Sequence, residues 1–256
     1  MLLPRILPCL LLQGKGLVKG IKFKDYKYIG DPINTVKIFS NLEVDEIILL
    51  DITATQEQRI LDPEIVSEIA DEAFMPFTIG GGIRTIEHIR QLVNAGAEKV
   101  SINTGAIENP DLVKQASEIF GVQSIIVCID VKKNWGGDYD VYTHCGRKKT
   151  KFHPVELAIQ MQERGAGEIL LNCIHSDGTM LGYDLNILKQ ISEAVTIPVI
   201  ACGGAGSVDD LAAGVHDGHA TAVAAGSMFV FHGKKKGVLV NYPDWEERQS
   251  VYSIET

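Results

Sequence analysis

Three aspartates and two glycine clusters are the residues of this chain best suited to chemistry. Asp51, Asp130 and Asp177 fall at or just after the ends of short apolar runs. Asp130 follows Ile125-Ile126-Val127-Cys128-Ile129, so its carboxylate should be partly desolvated and poised for proton transfer. Asp51-Ile52-Thr53 and Asp177-Gly178-Thr179 also read as turn chemistry, so loop ordering and ligand contact both stand for these two. Gly80-Gly81-Gly82 and Gly203-Gly204 each close an apolar run just before a helix start at Thr85 or Ser207. Glycines let backbone N–H groups approach an anion, and a helix N-terminus adds favourable partial charge. Asn103-Thr104 and Gly226-Ser227 follow the next apolar runs and are the companion elements. Phosphate is the expected anion, and two such sites across one mouth imply a ligand phosphorylated at each end.

These groups recur because the chain repeats itself. Pro76 to Gly82 falls on Pro198 to Gly204, with a spacing of 122 positions between Gly81 and Gly203. The same spacing carries Gly96 onto Gly218, and Glu46-Ile47-Ile48-Leu49 onto Glu168-Ile169-Leu170-Leu171. Two long copies filling one chain fit a closed, pseudo-twofold fold better than a solenoid.

Eight β-strands are expected, near 5–12, 46–51, 76–80, 98–103, 124–131, 168–174, 198–202 and 221–226. Helices fit 31–42, 57–73, 85–95, 109–120, 153–164, 184–195 and 207–216, with start signals at Asp31-Pro32, Asn109-Pro110 and Thr85. Eight alternating units give an α/β fold, a (βα)8 TIM barrel with an internal half-barrel repeat. No linker marks a second domain, so residues 1–256 are expected to form a single domain. The long connections 13–30 and 132–152 both follow strand C-termini and would overhang the mouth as lids; Gly136-Gly137 suggests a β-hairpin in the second.

The strand starts carry Arg5, Glu46, Lys99 and Glu168. Pointing inward, they would form a ring of two positive and two negative charges on the barrel floor. Such charges must pair. A structural plug and a gate are both consistent with that.

The 256 residues match the usual size of this barrel, and 45% hydrophobic content supplies a large core. A net charge of −9 argues against nucleic-acid binding. The first apolar run, Ile6 to Leu12, is too short and too interrupted by Pro8 for a signal peptide or membrane span. Five cysteines without a C-x-x-C pair read as reduced thiols in a cytoplasmic protein. His175 has no partner at metal-ligand spacing, so neither a metal nor a cofactor is expected; substrate contact or packing is. His216 and His219 should lie on the surface.

Taken together, Arg5-Ile6-Leu7-Pro8-Cys9-Leu10, Val18-Lys19-Gly20, Leu50-Asp51-Ile52-Thr53-Ala54, Gly80-Gly81-Gly82-Ile83, Val100 to Thr104, Ile129-Asp130, Asp177-Gly178-Thr179 and Gly182-Tyr183-Asp184 resemble the cyclase subunit of imidazole glycerol phosphate synthase. The likeness runs from Arg5 to about Phe231. It implies a glutaminase subunit docked as a heterodimer on the N-terminal face of the barrel. Ammonia would pass a gate formed by Arg5, Glu46, Lys99 and Glu168 and reach a bisphosphorylated ribulosyl aminoimidazole at the mouth. Two aspartates would act there as general acid and base. Lys19, Asp51, Gly81, Gly82, Asn103, Thr104, Asp177, Gly203, Gly204, Gly226 and Ser227 would hold the substrate and its phosphates.

Two departures qualify the likeness. Asp130 matches one catalytic aspartate, but Leu11 stands where the other is expected and cannot move a proton. After Phe231, Gly233 to Pro243 stands where the family's ordinary last helix is expected. Both features resemble a paralogous group associated with surface-polysaccharide (lipopolysaccharide) synthesis. In that group the barrel is thought to pass ammonia to a sugar amidotransferase that makes an amidino or amino sugar.

Overall fold

The computed structural model describes residues 3–233 and 236–252. Eight parallel strands make the barrel: β1 (Arg5–Gln13), β2 (Ile47–Asp51), β3 (Phe77–Gly80), β4 (Lys99–Ile102), β5 (Ile125–Lys133), β6 (Glu168–Cys173), β7 (Val199–Cys202) and β8 (Ala222–Ala225). They pair in chain order, β8 pairs with β1, and β5 pairs with β6 along Glu168↔Ile126 to Cys173↔Val131, so no barrel edge is left open. The TIM barrel expected from the sequence is present.

The surrounding helices are α1 (Pro32–Asn41), α2 (Pro63–Glu72), α3 (Ile86–Asn94), α4 (Pro110–Phe120), α5 (Pro154–Glu163), α6 (Leu185–Ala194), α7 (Val208–His216) and α8 (Trp245–Tyr252). Local chemistry sets their starts. The side chains of Asp31 and Thr85 accept from the backbone N–H groups of Asn34 and His88, and Ser207 forms a capping box with Asp210. Asn109, expected to do the same, makes no side-chain cap bond; Pro110 alone marks that start. The expected start of α2 at residue 57 is also wrong. Asp62 caps the helix and Pro63 occupies its first turn, while residues 53–58 form turns.

Three α-helices among the described residues have no counterpart in the sequence expectations. Thr104–Glu108 and Ser227–Val230 are single-turn helices hidden at the ends of apolar runs. The third, α8, packs on α7. The tail therefore does end in a helix, after the short pair Phe231–His232 and Gly237–Val238. Lys234 and Lys235 lie outside the described residues. Residues 13–30 overhang the mouth as expected, with Lys19, Phe23 and Tyr26 lining the cavity, but as a hairpin and not as a loop. Gly16–Ile21 and Lys24–Gly30 form an antiparallel hairpin that continues β1, with Leu11 opposite Val18. The connection after β5 is the expected hairpin, with Asp130 opposite Tyr142.

Apolar side chains divide between two layers. Ile6, Leu10, Phe39, Ile47 and Ile69 belong to the layer between barrel and helices. Leu7, Cys9, Ile48, Ile126, Cys128, Leu170, Ile200 and Cys202 fill the lumen. Strand alternation places every second residue of β1 inward, so Arg5, Leu7, Cys9 and Leu11 line up from floor to mouth.

The floor charges do face one another. Arg5 pairs with Glu46 and Glu168, and Lys99 Nζ reaches Glu46 at 2.9 Å and Glu168 at 2.7 Å. Thr78 Oγ1 donates to Glu46 Oε1 at 3.0 Å. Each carboxylate thus has two cations, as burial demands. Burial works against charge on the Arg5 guanidinium, but the two carboxylates outweigh it and hold it above its usual range. Replacing Lys99 by Leu leaves two buried carboxylates sharing one guanidinium. Urea unfolding of Lys99→Leu should show a loss of about 3 kcal/mol; an unchanged midpoint would mean that the four charges do not act as a unit.

Candidate active site

One cavity opens at the C-terminal ends of the strands. Asp130, Lys19, Asp51, Gly81, Gly82, Asn103, Thr104, Asp177, Gly203, Gly204, Gly226 and Ser227 all line it. The twelve residues are therefore brought to one place, while Gly80 and His175 do not line it, and the four floor charges lie at the other end of the lumen.

The two glycine ends are built alike. Gly81 and Gly82 have φ of +113° and +71°, and Gly203 and Gly204 have +85° and +132°. These values favour glycine. Space demands it as well. A Cβ on Gly82 would sit 1.7 Å from Arg59 O, and one on Gly204 would sit 2.0 Å from Gly182 O. Asn103 (φ −105°, ψ −83°) and Gly226 (φ −108°, ψ −65°) bend the chain almost identically into the two single-turn helices. The sequence repeat is thus a repeat of backbone shape. Backbone of this shape can bring N–H groups up to an anion, although the Gly82 N–H here donates to Thr55 Oγ1 at 3.3 Å.

A cation stands near each end. Lys19 Nζ would lie 3.1 Å from a Cβ on Gly226, and it pairs with Asp177 Oδ1 at 2.9 Å. Desolvation of this fully buried ammonium works against its charge, but the Asp177 carboxylate outweighs it and holds the Lys19 pKa above its usual range. Arg84 lines the opposite side; its Nη2 donates to Thr55 O at 3.3 Å, and its buried Nε has no partner. Arg84 was missed in the sequence reading, although Gly-Gly-Ile-Arg immediately before a helix start was the signal.

The three aspartates have different surroundings. The Asp51 carboxylate is spent on its own loop, accepting from Thr53 N, Thr53 Oγ1, Ala54 N and Arg59. Its turn-ordering role is the one the geometry displays. Asp177 is held by Lys19, but its Oδ2 is buried without a partner. Among the described residues no cation pairs with Asp130: Asn172 Nδ2 donates to Oδ1 at 3.2 Å, and the Cys128 thiol donates at 3.6 Å. Burial pushes the Asp130 carboxyl up to about 7, with the Asp177 charge adding to the rise and the two hydrogen bonds opposing it. A carboxyl in that range can give or take a proton near neutrality. Leu11 lines the same cavity and supplies no second group.

The remaining expectations are local. All five cysteines are free thiols, and Cys9, Cys128, Cys145 and Cys202 line the cavity. His175 lies on the rim, where Nε2 meets Asp184 at 3.0 Å and Nδ1 accepts from Lys133 N at 3.3 Å. His216 and His219 are engaged with Ser250 O and Glu193.

The family described as "Histidine biosynthesis protein" matches residues 5–236. The chain belongs to this family. It is 47% identical over 240 residues to "Putative imidazole glycerol phosphate synthase subunit hisF2" of Pseudomonas aeruginosa, covering 94% of this chain and 96% of that one. It is 45% identical over 232 residues to "Imidazole glycerol phosphate synthase subunit HisF" of Alkaliphilus metalliredigens, covering 91% and 92%. A Leptospira interrogans relative, "Putative imidazole glycerol phosphate synthase subunit HisF", is 44% identical over 253 residues, covering 98% and 100%. The resemblance read from the motifs thus holds across almost the whole chain. Among the described residues, no helix is long and apolar enough to cross a membrane.

The raised Asp130 carboxyl has a consequence for stability. Its folded pKa of about 7 lies above the unfolded value of about 3.9. Between those values the folded chain binds more protons, so the contribution of this group falls as pH rises from about 4 to about 7. Asp130→Asn removes that fall. Urea unfolding across this range should give a shallower decline with pH for the variant than for the wild type. Equal slopes would show that Asp130 titrates normally.

Proposed function

We propose that this chain is the ammonia-using barrel of a glutamine amidotransferase complex of the cyclase type. A glutaminase partner docks on the N-terminal face and releases ammonia. The floor ring opens transiently to admit it, and the apolar lumen carries the neutral molecule to the mouth. A ligand phosphorylated at both ends lies between the glycine turns of β3 and β7. Asp130 moves protons there. The observation that carries this reading is the placement of the closed charge ring and Asp130 at opposite ends of one lumen.

Leu11 favours a second reading. Without a second acid–base residue the cyclisation step is weakened, and the barrel serves as an ammonia-conducting subunit for a sugar amidotransferase of surface-polysaccharide synthesis. The two readings differ in turnover. With ammonium salt and the ribulosyl substrate, Leu11→Asp should exceed the wild type by about 10²–10⁴-fold. A wild-type rate equal to that of the variant would mean that another group has replaced the missing carboxylate, and the second reading would fall.

Coupling tests the shared part. Adding this chain to its glutaminase partner should raise glutamine hydrolysis. No change on mixing would count against ammonia transfer in either reading.

A further inference from the structure

We propose that the two hairpins around the mouth form a docking face for an acidic surface of the ammonia-accepting sugar amidotransferase, with Trp135 and Leu181 as its apolar anchors. The inference deepens the second reading above and rests on it. Residues 13–30 and 132–152 hold eleven of the 24 Lys and Arg residues but three of the 33 Asp and Glu residues. They carry a formal charge of +8 in a chain whose total is −9. Every one of these cations except Lys19 is exposed. Lys148 and Lys149 pair with Glu108 and Asp140, but among the described residues Lys22, Lys24, Lys27 and Lys132 form no ion pair. Positive charge is thus gathered on one face and left unanswered there, which favours an anionic partner.

The two hairpins meet over the mouth. The Phe23 ring lies 2.9 Å from the position of a Cβ on Gly146. Lys22 N donates to Asp177 O at 2.9 Å, which ties the first hairpin to the loop after β6. Lys22, Lys133 and Leu181 line one open depression beside the mouth. Its carboxylate, Asp184, is already held by His175 and Tyr139. Leu181 is 87% exposed, and Trp135, in the turn just beyond Lys133, is fully exposed.

A small phosphorylated ligand would be drawn by the same charge, but it has no use for apolar side chains that point into water. A bilayer takes up a continuous apolar face. Here Trp135 and Leu181 stand on separate segments, beside a concave and charged depression. Large apolar anchors inside a polar, steering rim are the form of a protein–protein interface. A partner seated over this face would receive ammonia without its passing through bulk water.

Calorimetry of the full chain with the purified sugar amidotransferase of the same organism tests the inference. Trp135→Ser should weaken binding about ten-fold or more. Lys22→Glu combined with Lys133→Glu should do the same at about 50 mM salt and much less at about 500 mM. Lys114→Glu, exposed on α4, should bind as the wild type does. Unchanged urea midpoints would show that the variants are folded. If the hairpin variants bind as tightly as Lys114→Glu, the amidotransferase docks elsewhere; the proposal falls and the second reading stands. An effect of the charge reversals without one of Trp135→Ser leaves only attraction between opposite charges and also overturns it. Phosphatidylglycerol vesicles are the second probe. Vesicle binding that Trp135→Ser abolishes, with amidotransferase binding intact, would make this a membrane surface instead. If the wild type does not bind the amidotransferase at all, the second reading fails first and takes this inference with it.

Discussion

Closure of the sheet is the constraint from which the rest follows. Once β5 pairs with β6, every strand has two neighbours and each alternate side chain must point into one shared lumen. A slip of one residue in β1 would send Arg5, Leu7, Cys9 and Leu11 outward and bring Ile6, Pro8, Leu10 and Leu12 inward. The floor would then lose a cation. The burial pattern excludes this, because Ile6, Leu10 and Leu12 pack in the outer layer and Leu7 and Cys9 in the inner one. Register thus places charge at the floor, apolar groups in the middle and titratable groups at the mouth.

Charge placement follows from the same enclosure. A buried ion must be paired, and the chain meets this in two ways. Floor charges alternate in a closed ring, and Lys19 answers Asp177 at the mouth. Asp130 has only neutral donors, Asn172 and Cys128. It is therefore the carboxyl whose pKa burial raises, while Asp177 faces a lysine instead. One fold thus gives two nearby carboxylates different electrostatic surroundings through their neighbours alone.

Much of this was legible in the sequence because barrel construction is periodic. Alternating apolar runs and amphipathic stretches located all eight strands and their main helices, and the internal repeat pointed to both glycine turns. Side chains at strand ends were legible for the same reason, since parity assigns Glu46, Lys99 and Asp130 to the lumen. What the sequence concealed lacks periodicity. Two single-turn helices are too short to produce a pattern, and the hairpin after β1 was mistaken for a loop because its strand Lys24–Gly30 is largely polar and exposed. Asn172 was invisible because its contact is with Asp130, in register on the neighbouring strand β5, not with its neighbours along the chain.

Leu11 changes the mouth by more than the loss of a proton carrier. A carboxylate at that position would face the same cavity as Asp130 and, if charged, would oppose ionisation of Asp130 further. With Leu there, Asp177 is the remaining carboxylate whose charge acts on Asp130, and it is partly offset by Lys19. The floor of the mouth is correspondingly apolar, with Leu11, Leu50, Cys9 and Cys202 beneath the polar rim. On the function proposed above, such a surface would favour neutral ammonia over ammonium, while the glycine turns keep their form. On the function proposed above, Leu11 would therefore separate two properties: holding a doubly charged ligand, which depends on backbone geometry, and moving two protons, which depends on paired side chains.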